Sequence, residues 1–306
     1  MWTYDDNRAA MRDALRLSEG MTYKSAVAGL PLGGGKGVIV LPPDAPLDAR
    51  LRRAALLDFG ETVDRLGGTY VTAEDVGTST SDMTIISRQT EHVSGLSRRS
   101  GGSGDPSPFT AQGVVHAIEA TCERVFGSPE LAGRTVAVVG LGHVGLRVAK
   151  LVAKAGAKLV VADIDRSKRE EADRLGATWA TPAKAMTASV DVLVPCALGG
   201  VLDHESVPQL QAPAIAGAAN NQLASADVAD LLRERGIVWA PDFVANAGGI
   251  VNISVEFEAD GYDPERATAK TREIGDTLRS IYDDAAAAHT TPLSAAMALA
   301  QKNLAR

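Results

Sequence analysis

The chain has 306 residues, 45% of them hydrophobic, 23% charged and only 4% aromatic, an ordinary globular composition that suits about two domains. Thirty-one Lys and Arg against 38 Asp and Glu leave a net charge of −7, which disfavours a phosphate backbone as the main partner, and aromatic stacking platforms for single strands are scarce. Cys122 and Cys196 have no paired spacing for zinc, and there is no signal peptide or long apolar span, so the sequence reads as a cytoplasmic protein with buried thiols, no metal and no membrane partner.

Residues 5–20 space Ala9, Met11, Ala14, Leu15 and Leu17 as a helix, with Gly20 placed to end it. The β-branched run 37–41 (GVIVL), stopped by Pro42 and Pro43, reads as a buried strand, 47–67 as a helix and 69–73 (TYVTA) as a further strand. Residues 97–108 (SRRSGGSGDPSP) are the sharpest break in composition and mark a linker or an active-site loop. Beyond it strands alternate with helices: 135–140, 158–163, 191–196, 214–219 and 237–241 as strands, 144–155 and about 167–174 as helices. Residues 264–305 are helical apart from an interruption at His289–Pro292. This rhythm predicts an α/β protein with a doubly wound parallel sheet of Rossmann type.

Gly140-Leu141-Gly142-His143-Val144-Gly145 follows a strand, opens a helix and has Asp163 at the end of the next strand, the full context of a dinucleotide-binding turn. Gly140 permits the tight turn, Gly142 lets a pyrophosphate approach the backbone, and Gly145 lets the helix pack close to the sheet. Asp163 would accept hydrogen bonds from an adenosine ribose and repel a 2′-phosphate, so NAD is favoured over NADP despite the nearby Arg166. A second glycine cluster, Gly33–Gly35, precedes Lys36. It fails the spacing of a phosphate loop and suggests instead a backbone approached by a ligand, with an amine delivered to it.

The segments MTYK (21–24), LPLGGGK (30–36), TAEDVGT (72–78), GGSGDPSP (101–108), GLGHVG (140–145), GAANNQ (217–222) and PDFVANAGG (241–249) together resemble the glutamate/leucine/phenylalanine/valine dehydrogenases, and most of all the leucine/valine branch. The resemblance spans essentially the whole chain. It implies NAD-dependent oxidative deamination of an L-amino acid to a 2-oxo acid and ammonia by a homo-oligomer. Two domains are implied: residues 1–108 with 282–306 for the substrate, and 109–281 for NAD.

By the same resemblance Lys36 is the general acid/base that activates water, Asp75 passes protons to and from the amino group, and Lys24 holds the substrate carboxylate. Asn221 is the substrate-side amide, while Thr110 and Asn246 reach the nicotinamide. Ile253 stands where glutamate enzymes of the family carry a serine, and a buried isoleucine would leave a charged side chain unpaired. With Ile250 on the same wall, a branched aliphatic substrate is expected. Two departures stand out. The chain begins after a segment that relatives carry, and Pro42 occupies a place that is usually small and polar. A phenylalanine-type dehydrogenase, or an NAD-binding protein without turnover, are the alternatives.

Overall fold

The computed structural model describes residues 1–42 and 47–305; Pro43, one of the two expected strand-stopping prolines, lies outside the described residues. The first region contains β1 (Trp2–Thr3), α1 (Asn7–Val27), β2 (Val40–Leu41), α2 (Ala49–Asp64) and α3 (Thr80–Ile86). Strand β1 pairs with β2 in parallel, Trp2 opposite Val40.

Helix α1 starts where expected, with the Asp6 carboxylate accepting the Ala9 N–H at 2.6 Å, but it does not stop at Gly20. It continues to Val27 because Ser25, Ala26 and Val27 are buried, and the Ala26 carbonyl accepts from Asn303 at the far end of the chain (2.8 Å). That packing outweighs the roughly 1 kcal/mol a mid-helix glycine costs. The helix ends instead at Gly29, which takes up the left-handed conformation (φ +64°). The two turns past Gly20 carry Lys24 into the molecule.

Both strands expected in the first region are much reduced, as are those expected at 214–219 and 237–241, which pair only over Ala214–Ile215 and Val238–Trp239. In 37–41 only Val40 and Leu41 pair, and Val40 is 42% exposed, so this is an edge ribbon rather than a buried strand. In 69–73 a single bridge joins Thr72 to Val93. Its two hydrogen bonds, Thr72 N–H to the His92 carbonyl and Ser94 N–H to the Thr72 carbonyl, fix the start of the acidic turn that follows.

Helix α4 (Ser107–Phe126) leads into the second region. Here β3 (Thr135–Val139), α5 (His143–Lys154), β4 (Lys158–Ala162), α6 (Arg169–Arg174), β5 (Thr178–Trp179), α7 (Pro182–Met186), β6 (Val192–Pro195), β7 (Ala214–Ile215), α8 (Val228–Glu234) and β8 (Val238–Trp239) alternate. All six strands are parallel, in the order β5-β4-β3-β6-β7-β8, the doubly wound arrangement whose crevice opens between β3 and β6. Both faces are buried: Val136, Val138, Val192 and Val194 pack toward one helical layer, Ala137, Val139, Leu193 and Ile215 toward the other.

Short helices α9 (Asp242–Ala245) and α10 (Gly248–Ser254) precede the long α11 (Pro264–Ala287) and the final α12 (Pro292–Leu304). The expected domain boundary at 281/282 falls inside α11, which runs unbroken through it, and the Tyr282 hydroxyl is 2.8 Å from Thr121 Oγ1 on α4. The chain turns back toward the first region only after His289 (φ +51°), where α12 begins and packs against α1. Cys122 is buried as expected, whereas Cys196 is only partly covered. Burial pushes their thiols up to about 11 and about 12, so both stay protonated. No helix among the described residues is long and apolar enough to cross a membrane.

Candidate active site

A cleft of about 860 Å³ separates the two regions. Lys24, Lys36, Asp75, Thr110, Val144, Asn221, Asn246, Ile250 and Ile253 all line it, so residues 229 positions apart in sequence are brought to one wall or the other. Pro106 and Ser107, from the glycine- and proline-rich break, line it too. The Glu256 carboxylate staples that break in place, accepting N–H groups from Gly95 (2.9 Å) and Ser103 (2.7 Å).

The Lys36 ammonium touches the Asp75 carboxylate. Asp75 is held by its own turn: its N–H donates to Thr78 Oγ1 (2.9 Å), and the Val76 N–H donates to its Oδ1 (2.7 Å), which leaves Oδ2 for the lysine. Burial draws Lys36 below the ordinary lysine value, with the Asp13 carboxylate pulling the other way, while contact with Asp75 favours the charged form. Lys24 is brought down to about 8, first by burial and then by Lys36, against the attraction of Asp242. Two lysines share one partly dehydrated cleft, an arrangement suited to binding an anion and to supplying a neutral amine as a base.

Across the cleft, Lys24 Nζ donates to Asn220 Oδ1 (3.3 Å), and that same oxygen accepts from Asn246 Nδ2 (2.8 Å). The expected substrate-side amide, Asn221, lines the cleft, but the hydrogen bonds to Lys24 and Asn246 are made by Asn220. Asn221 takes up the left-handed turn (φ +51°), and in an Asn-Asn pair nothing in the sequence says which residue will turn and which will reach. Asp242 also went unread. It is buried beside the cleft, burial pushes its carboxyl up, and its Oδ2 accepts the Gln222 N–H at 2.6 Å.

The dinucleotide turn sits at the crevice between β3 and β6. Gly140 needs its positive φ (+103°), and a β-carbon there would lie 2.8 Å from Ala197 Cβ. One at Gly145 would overlap the Gly140 carbonyl, whereas Gly142 faces open space. No side chain caps the N-terminus of α5, so the first amides after Gly142, at His143, Val144 and Gly145, are free for an anion. Leu141 contributes less than expected: its side chain is buried and its N–H is taken by Asp163 Oδ2 (2.6 Å). Asp163 Oδ1 accepts from Asp165 N–H (2.8 Å), which fixes the carboxylate at the end of β4. Asn246 lines the cleft, and its Oδ1 is buried with no partner, a spare acceptor of the kind a carboxamide N–H would satisfy. These features fit NAD: Gly140–Gly145 would hold the pyrophosphate, Asp163 the ribose, and Asn246 with Thr110 would line the nicotinamide side.

The family model described as Glu/Leu/Phe/Val dehydrogenase, dimerisation domain, matches residues 3–92, and that described as Glutamate/Leucine/Phenylalanine/Valine dehydrogenase matches 161–306. A leucine dehydrogenase of Geobacillus stearothermophilus is 43% identical over 92% of this chain and 76% of its own length. The chain belongs to the glutamate/leucine/phenylalanine/valine dehydrogenase family. An L-tryptophan dehydrogenase of Nostoc punctiforme is also 43% identical, over 98% of this chain and 83% of its own length. The crystal structure of a tryptophan dehydrogenase from that organism superposes with a TM-score of 0.83 at 38% identity, covering 99% of this chain and 85% of the other. A phenylalanine dehydrogenase of Lysinibacillus sphaericus is 40% identical over 99% of this chain and 80% of its own length. Residues 112–205 match an NAD-binding domain described for D-isomer specific 2-hydroxyacid dehydrogenases. This member of the family is therefore an NAD-dependent oxidoreductase acting on amino acids, built as two α/β domains, one of them of Rossmann type.

Proposed function

We propose that the enzyme oxidises a branched aliphatic L-amino acid, leucine or valine, to the 2-oxo acid with release of ammonia. The observation carrying the choice of substrate is the pair Ile250 and Ile253 on the cleft wall. Ile253 is 7% exposed and offers no hydrogen bond, so a carboxylate side chain placed against it would lose its hydration without compensation. The likeness to leucine dehydrogenases supports the same reading.

NAD⁺, when bound, supplies the acceptor for the Cα hydride. Lys24 holds the α-carboxylate as an ammonium. Lys36, kept below the ordinary lysine value by burial, takes a proton from the water that adds to the imine carbon. Asp75, in contact with Lys36, delivers a proton to the departing nitrogen, so one water is consumed and one ammonium leaves. The cleft between the domains brings the substrate carbon to the nicotinamide and limits water to the molecule that reacts.

A homo-oligomer belongs to the same reading. Met11 and Leu15, one turn apart on α1, are 62% and 69% exposed, on the part of the chain that the dimerisation-domain model matches. The reducing cytoplasm, where Cys122 and Cys196 stay thiols, suits it as well.

An aromatic substrate is the rival reading, favoured by the tryptophan dehydrogenase likeness over nearly the whole chain. Relative kcat/KM for leucine, valine, phenylalanine, tryptophan and glutamate separates the two. The aliphatic reading expects leucine or valine to lead by at least tenfold, and Ile250→Ala to narrow that lead by enlarging the wall. Phenylalanine or tryptophan leading in the unaltered enzyme would overturn it.

A further inference from the structure

Lys36 lies in a run of glycines, Gly33 to Gly37, which has no side chain but its own to hold it in place. The loop is nevertheless fixed on both sides. Upstream, Gly34 lies against Thr22 of α1, and its carbonyl accepts from Ser18 Oγ at 2.9 Å. Around the lysine itself the contact is Tyr70. The Gly37 N–H donates to Tyr70 Oη at 3.1 Å, and a β-carbon at Gly35 would fall 2.6 Å from Tyr70 Cδ2. At Gly37 a β-carbon would lie 2.7 Å from Phe59 Cζ and 3.3 Å from Tyr70 Oη. One phenol therefore touches the backbone on either side of Lys36. Tyr70 is also two residues before Thr72, whose bridge to Val93 fixes the turn carrying Asp75.

We propose that Tyr70 is a positioning residue for the reaction, its ring and hydroxyl setting where the Lys36 ammonium lies against Asp75. The proposal rests on the reading of Lys36 as the acid/base. It bears on why glycine stands on both sides of the lysine: the Tyr70 ring occupies the space a side chain at Gly35 would need, and Phe59 with the Tyr70 hydroxyl occupies that at Gly37. The charged groups facing Lys36 are Asp75 from the acidic turn, Asp13 and Lys24 from α1, and the Met1 ammonium. None of them is on the element that carries Tyr70's ring against the loop, so altering Tyr70 changes the lysine's placement and hydration without removing a charge.

The test compares Tyr70→Phe, Tyr70→Leu and Lys36→Ala. Tyr70→Phe keeps the ring and loses one hydrogen bond; kcat should fall about tenfold. Tyr70→Leu loses the ring as well, and kcat should fall about a hundredfold, the scale of a misplaced catalytic group. In both, KM and the NADH Kd should stay within about twofold, because Lys24 and the dinucleotide turn are untouched. Looser packing lets water reach Lys36 and returns it toward the ordinary lysine value, so the acidic limb of kcat/KM should move to higher pH. Wild-type kcat with an unmoved limb would overturn the proposal. So would a fall in rate with an unmoved limb and a lowered Tm, which marks a structural role only. Full turnover in Lys36→Ala would instead refute the reading of the lysine on which the proposal stands.

Discussion

Two substitutions in the dinucleotide turn should have opposite signatures. A methyl group at Gly145 would overlap the Gly140 carbonyl oxygen, sit 3.0 Å from its carbonyl carbon and lie 2.9 Å from Cys196 Cβ. Backbone on one side and the end of β6 on the other leave nothing flexible to yield. With nothing to yield, overpacking lies toward the upper end of its usual range, about 2–3 kcal/mol, which less the roughly 1 kcal/mol that alanine gains over glycine inside a helix leaves a net loss of about 1–2 kcal/mol. At about 2 °C per kcal/mol for a chain of this size, Gly145→Ala should lower Tm by about 2–4 °C and weaken NADH by forcing α5 off the sheet. Gly142 has nothing within 4 Å of its β-carbon position and sits at the uncapped start of α5. Gly142→Ala should leave Tm within about 2 °C, yet raise the NADH Kd at least about tenfold, because the methyl group enters the space facing the free amides. Differential scanning fluorimetry and a titration of NADH fluorescence read both effects. NADH affinity unchanged in Gly142→Ala, or a Tm drop there with none in Gly145→Ala, would refute the assignment of the turn.

Lys36→Ala should lower turnover by about 10³-fold or more while the NADH Kd stays within about twofold, since the lysine and the dinucleotide turn belong to different domains; loss of NADH binding in that variant would contradict the division of labour. Asp163→Ala should weaken NAD more than NADP in paired titrations, and the reverse order would remove the cofactor preference. Burial draws Lys24 down to about 8, and only its charged form holds a carboxylate. The KM for the amino acid should therefore climb as pH rises through about 8, a slope that Lys24→Met removes while raising KM throughout.

The Rossmann half was legible because its signals are local. The five strands expected there carry their own apolar runs, the turn its own glycines, and Asp163 follows β4 directly, whereas the sixth, the two-residue edge strand β5, has no such run and was not expected. The first region was harder because distant contacts decide it. Gly20 looks like a helix end, and only burial of Ala26 and Val27 under a helix from the other end of the chain carries α1 past it. The run at 37–41 has strand composition, but its pairing is limited to two residues of β1, so most of it stays irregular. The lysines and Asp75 were recognisable from the segments around them. Asn220, Asp242 and Tyr70 were not, because each acts on a partner far along the chain: Lys24, Gln222 and Gly37 respectively.

The most direct measurement is NADH formation by the purified chain with NAD⁺ and L-leucine, L-valine, L-phenylalanine, L-tryptophan or L-glutamate, with Lys36→Ala run beside it. Turnover should favour leucine or valine and disappear in the variant, as the proposed deamination through Lys36 requires. NADH binding without turnover on any of these amino acids, or an undiminished rate in Lys36→Ala, would contradict it.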